Sequence, residues 1–183
     1  MIINSKAESI DKIQKLCLNR FPEQSFHKGE LDRVQNFIDT HSVDFYAIRC
    51  IDIVGYKTQN KLPRESVFEE IEKHNTFSVG ISSFNYVDSL LLIGDVRFGK
   101  DNSVWLMAST KDYPYKAANA IPEYNCSTDI FNKKLNAVPG FDIIYGYVVD
   151  KGLLDVIVEF AVYSKPLGIY YEPVVIFEIR TGY

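Results

Sequence analysis

Side chains alternate along a strand, so the run Val174-Val175-Ile176-Phe177-Glu178-Ile179-Arg180 puts Glu178 and Arg180 on one face with Val174 and Ile176. Val175, Phe177 and Ile179 then form the opposite, apolar face. Upstream, Asp155 to Tyr163 carries Glu159 among Ile157, Ala161 and Tyr163. A hairpin centred near Gly168 sets Glu159 opposite Glu178, where two like charges destabilise the pair unless a cation neutralises them. That cation is either Arg180 or Arg49, giving a structural ion-pair cluster, or magnesium, which takes a couple of carboxylates together with phosphate oxygens. The residues leave both readings open.

Asp95 and Arg97 share a face of an earlier strand; they either extend this polar site or form a cross-strand salt bridge. Elsewhere the chemistry is sparse. His27, His41 and His74 are scattered near helix ends without metal-ligand spacing, which reads as structural. Cys17, Cys50 and Cys126 are odd in number and never in a CxxC pair, so neither a zinc site nor a disulfide framework is expected. The run Tyr113-Pro114-Tyr115, with Lys111 and Lys116, suits stacking on a ligand or a partner, and equally a surface turn. No GxSxG, P-loop or GxGxxG pattern is present.

The elements that must hold these residues follow from periodicity. Ile10, Ile13, Leu16 and Cys17 predict a helix from Ser5 to about Phe21, stopped by Pro22. Leu31, Val34, Phe37 and Ile38 predict a second over Gly29 to His41. A strand over 44–51 is followed by a polar loop from Lys57 to Lys61. Pro63 opens a helix ending near His74. Phe77 to Ser82 reads as a strand, and Val87 to Phe98 pairs with Ser103 to Ala108 through the turn Gly99 to Asn102, with Gly94 a candidate bulge. Ser109 to Thr128 lacks periodicity and is expected to be a lid or partly helical. Ser127 or Thr128 caps a short helix to Leu135, and Phe141 to Val149 is helical. The two β-branched runs at the end form an antiparallel hairpin. Together these predict an α+β domain with a mostly antiparallel sheet and N-terminal helices packed on it, occupying residues 1–183 as a single domain.

Composition bounds the partners. At 183 residues with 46% hydrophobic and 24% charged residues, the chain is long enough to bury a continuous core. The 24 acids against 20 bases, without a basic block, argue against nucleic acid. No apolar run approaches the about 18 residues of a membrane span, and no signal peptide opens the sequence, so a cytoplasmic location is expected. Aromatic residues make up 14%, which fits broad cores or a protein interface, including one between copies in a homo-oligomer.

The final hairpin, Val158-Glu159-Phe160-Ala161 followed by Val175-Ile176-Phe177-Glu178-Ile179-Arg180, resembles the end of the ATP-binding domain of phosphoenolpyruvate synthase and pyruvate phosphate dikinase, relatives of the ATP-grasp fold. Ala47-Ile48-Arg49 resembles that family's Ala-Val-Arg strand. Cys50, Glu178 and Thr181 stand where the family has serine, glutamine and proline. The resemblance implies a nucleotide-binding domain taking ATP and Mg2+, degenerate or partner-dependent in phosphoryl transfer. Arg49 and Arg180 would bind phosphate, and Glu159 and Glu178 would hold metal. The alternative is a non-catalytic protein-interaction or oligomerisation module whose charged residues are structural.

Overall fold

A computed structural model describes residues 3, 5–50, 58–110 and 121–181. In chain order the elements are α1 (Lys6–Lys15), β1 (Glu23–His27), α2 (Leu31–Thr40), β2 (Phe45–Cys50), β3 (Gln59–Pro63), α3 (Val67–Ile71) and β4 (Thr76–Ile81). There follow β5 (Leu90–Phe98), β6 (Ser103–Ser109), β7 (Tyr124–Asp129), α4 (Phe141–Asp150), β8 (Ile157–Tyr163) and β9 (Val174–Arg180). The described residues adopt the α+β class expected, with antiparallel sheets and helices packed against them. They divide into two compact units, one of Met1–Arg20 with Asp88–Tyr183 and one of Phe21–Val87.

In the first unit the strands run in the order β7-β6-β5-β8-β9, all neighbours antiparallel. Val158, Phe160 and Val162 of β8 point into a core with Ile13 of α1 and Ile144 and Val148 of α4. Helix α1 starts because Ser5 Oγ accepts the Glu8 N–H at 3.2 Å. It ends well before the expected Phe21: Cys17 takes a left-handed backbone (φ 50) and the Leu18 N–H turns back to the Ile13 carbonyl at 3.0 Å, which closes the helix before Pro22 is reached. The helix also covers the outer edge of β9, where Ser9 Oγ accepts the Ile179 N–H at 2.7 Å.

Further expectations change in this unit. Gly94 is no bulge, since it stays in register between Ala108 and Phe160; the irregularity of β5 against β8 lies at Leu90 to Leu92. Gly94 is needed because a Cβ there would collide with the Met107 carbonyl oxygen and the Ala108 side chain. Strand β9 is itself bulged: Glu159 opposes Glu178 while Phe160 opposes Ile176, so Phe177 is an extra residue. Val174 and Ile176 therefore face the same core as Ile179, while Val175 lies on the side of Glu178, so the faces predicted from strict alternation are wrong for Val174, Val175 and Ile176, and Phe177 is the bulged residue outside that core. The aperiodic stretch 109–128 contains β7, in which Thr128 lies, and Asn132 rather than Ser127 or Thr128 caps the following short helical turn, accepting the Lys134 N–H at 3.0 Å. Lys111, Tyr113, Pro114, Tyr115 and Lys116 lie outside the described residues.

In the second unit the order is β1-β4-β2-β3, again antiparallel. Its core joins Tyr46 and Ile48 of β2 and Phe77 and Val79 of β4 to Val34, Phe37 and Ile38 of α2. The Tyr46 hydroxyl donates to the His41 carbonyl at 2.7 Å, tying the end of α2 to the sheet. Part of the predicted loop over 57–61 is strand β3, paired with β2, and β1 is a strand that periodicity did not predict.

Candidate functional site

Register brings three carboxylates into one row. Asp95 of β5 stands opposite Glu159 of β8, and Glu159 opposite Glu178 of β9. All three lie on the sheet face turned away from the core, because their neighbours Val96, Val158 and Ile179 point into it. The bulge at Phe177 keeps this geometry, letting β9 present Val174 and Ile176 to the core and still show Glu178 on the same side as Glu159.

Arg180 reaches across the row. Its Nη2 lies 3.1 Å from Asp95 Oδ1, and its Nη1 lies 3.8 Å from Glu159 Oε2 and 3.8 Å from Glu178 Oε1. Asp95 is only 1% exposed, and a carboxylate at that depth is tolerated only when a charge partner compensates its lost hydration. The guanidinium thus answers two needs at once: it balances a buried acid and relieves the repulsion between glutamates on adjacent strands.

The other sequence candidates are placed differently. Arg97 shares the face of Asp95 but ion-pairs with Asp155 at 3.6 Å, so the expected cross-strand bridge of Asp95 is made with Arg180. Arg49 belongs to the second unit, on the sheet face opposite that unit's core. There its Nε lies 3.6 Å from Glu23 Oε1, and the same oxygen accepts a hydrogen bond from Ser78 Oγ at 2.6 Å. Glu23 went unnoticed because it lies in β1. Asp95 ranked behind the two glutamates because nothing local reveals that β5 pairs with β8; its one visible signal is a charge set inside an apolar strand. His74 is buried, with Nε2 3.3 Å from Glu70 Oε1.

The donor set bears on metal binding. Carboxylate oxygens are hard ligands suited to magnesium, which is ordinarily held by one or two carboxylates plus substrate phosphates rather than by an all-protein cage. Among the described residues no group of three or more His, Cys, Asp or Glu side chains is arranged to hold a metal ion. The row therefore fits magnesium only as a partial ligand set, completed by another oxygen donor. No helix of the described residues is long and apolar enough to cross a membrane.

No family model matches the chain, and no curated protein matches its sequence. Solved structures do share its fold. The ADP complex of N5-carboxyaminoimidazole ribonucleotide synthetase aligns with a TM-score of 0.54 and 13% identity, over 96% of this chain and 44% of that one. The N5-carboxyaminoimidazole synthetase of Staphylococcus aureus complexed with ADP gives 0.52 and 13%, over 98% and 45%. The macrocyclase MdnC of Microcystis aeruginosa, bound with its precursor peptide MdnA, gives 0.51 and 12%, over 97% and 52%. The chain spans about half the length of these structures. At such identities the likeness is one of fold alone, and it is to the ATP-grasp fold broadly rather than to the phosphoenolpyruvate synthase domain in particular: this chain has an ATP-grasp-like fold.

Proposed function

We propose that this chain is a nucleotide-binding domain of ATP-grasp type that takes ATP with magnesium at the partly accessible carboxylate row, on the face of its five-stranded sheet turned away from that unit's core. The observation that carries this reading is the in-register row Asp95, Glu159, Glu178 with the Arg180 guanidinium among them. Glu159 and Glu178 would hold the metal, whose chemistry is to neutralise phosphate charge, and Arg180 would meet phosphate through its planar fork of donors. Trp105 and Met107 flank the row on the same face, as partners of Arg97 and Asp95, and offer half-buried apolar surface on which a base can stack. Arg49 is a second phosphate candidate, on its own unit. Two of the matched folds are ADP complexes, which supports the nucleotide class. The finer likeness to the phosphoenolpyruvate synthase and pyruvate phosphate dikinase domain rests on the residues of the final hairpin.

The test is a thermal-shift titration with ATP and ADP, with and without magnesium, on the wild type, Glu159→Gln and Arg49→Ala. A ligand that binds only the folded state stabilises it, by about 2.7 kcal/mol at a hundred times its Kd. The expected result is a magnesium-dependent rise in Tm that is lost in Glu159→Gln, while any separate, magnesium-independent rise from phosphate held on the second unit is lost in Arg49→Ala. No shift at millimolar nucleotide, with the variants folded, would leave the row as a structural ion-pair cluster in an interaction module.

A further inference from the structure

We infer that Arg180 is a built-in counter-ion that keeps the carboxylate row closed to a lone divalent cation, so that metal enters only when nucleotide phosphate draws the guanidinium away. The inference rests on the nucleotide reading above for its second half; the first half stands on the arginine's own geometry.

Arg180 Nη1 is equidistant, at 3.8 Å, from one oxygen of Glu159 and one of Glu178. That is the ground a cation shared by the two glutamates would occupy. A magnesium ion needs oxygens at about 2.0–2.1 Å in near-octahedral array, and a guanidinium N–H cannot remain among those oxygens while they do so. The two cations exclude each other. Arg180 has the advantage in the free protein, because its Nη2 is anchored 3.1 Å from Asp95, an acid 1% exposed that cannot be left without a compensating charge.

Nor do the described residues offer a displacing metal a full set of ligands, since they form no three-ligand cluster. A phosphate changes both sides of this balance. It supplies hard oxygens to the metal, and it gives the guanidinium an acceptor with matching bidentate geometry. Pivoting about its contact with Asp95, Arg180 can move Nη1 from the glutamates to phosphate while Nη2 stays on the buried acid. Metal and nucleotide then favour each other's binding by the same factor, as linkage demands.

The probe is Mn2+ alone, and separately ADP with Mn2+, titrated calorimetrically into wild type and Arg180→Gln. The expected result is that Mn2+ alone binds the wild type at least about tenfold more weakly than Arg180→Gln, and that ADP closes the difference for the wild type. Equal affinity of the two proteins for Mn2+ alone overturns the inference, whatever ADP does. If ADP binds neither protein while Arg180→Gln still gains Mn2+, the counter-ion role stands and the nucleotide reading fails. Should Arg180→Gln not fold, the side-chain nitrogen resonances of Arg180 in the wild type answer the same question. They are expected to be unmoved by Mg2+ alone and shifted by ADP with Mg2+; a shift with Mg2+ alone overturns the inference.

Discussion

Arg180 and Arg97 flank Ile157 on one sheet face, and the acids they meet differ in depth. Arg180 answers Asp95 at 1% exposure, whereas Arg97 lies 3.6 Å from Asp155, whose side chain is 37% exposed and also holds Lys100 Nζ at 3.1 Å. Water screens the second cluster, so its contribution is small, yet it has a readable pH signature. The side-chain bond from Lys100, then the Lys100 backbone N–H, hold the Asp155 carboxyl below its ordinary value of 3.8. A carboxyl with a depressed folded-state pKa adds stability that is fully present above the unfolded value and disappears as pH falls through the folded one. Asp155→Asn keeps the left-handed backbone of this position (φ 63), which asparagine adopts readily. The Tm difference between wild type and Asp155→Asn is therefore expected to be constant from neutrality down to about pH 5 and to close below about pH 4. A difference that does not change with pH would show that the carboxylate charge contributes nothing there.

At the scale of elements, β9 shows how a bulge absorbs one extra residue without exchanging the core face for the site face. Phe177 is the residue in excess over β8. Without it, Val174, Ile176 and Ile179 would still alternate with Val175, Glu178 and Arg180, so deleting Phe177 is expected to leave both faces unchanged. The deletion variant should fold, as judged by its circular dichroism, and should keep the nucleotide-dependent Tm shift; a folded variant without that shift would mean that the twist of the bulge positions the row. The same strand shows what was legible beforehand. The hairpin's symmetry about Gly168 puts Glu159 opposite Glu178, but a bulge leaves no mark in composition, so strict alternation assigns Val174, Val175 and Ile176 to the wrong faces. The strands that periodicity missed, β1, β3 and β7, are all at sheet edges. Each pairs through its main chain on one side and carries polar residues such as Gln24, Asn60 and Ser127, so its sequence reads as loop. Inner strands β5 and β8 are plain from their apolar runs, Leu90-Leu91-Leu92-Ile93 before the turn at 99–102 and the β-branched Val156-Ile157-Val158, although their pairing with each other, which makes Asp95 part of the row, is set by contacts distant in sequence.

For the whole molecule the relevant fact is that the two cores share no residue. One unit is built from both ends of the chain, where the Ile3 N–H donates to Thr181 Oγ1 at 2.8 Å, and the other is the continuous stretch between. The sequence suggested one domain, and cooperativity is the measurable meaning of that suggestion. Separate cores predict separate unfolding units, each with its own opening free energy. Ile48 is fully buried in the second core, so Ile48→Ala should cost about 3 kcal/mol through lost burial and the cavity left behind. In amide hydrogen exchange that cost is expected to appear as faster exchange across β1, β2, β3 and β4, while the central strands β5 and β8 keep their wild-type protection. Equal loss of protection in β5 and β8 would mean that the chain unfolds as one cooperative domain, and that nucleotide bound at the carboxylate row stabilises all of it together.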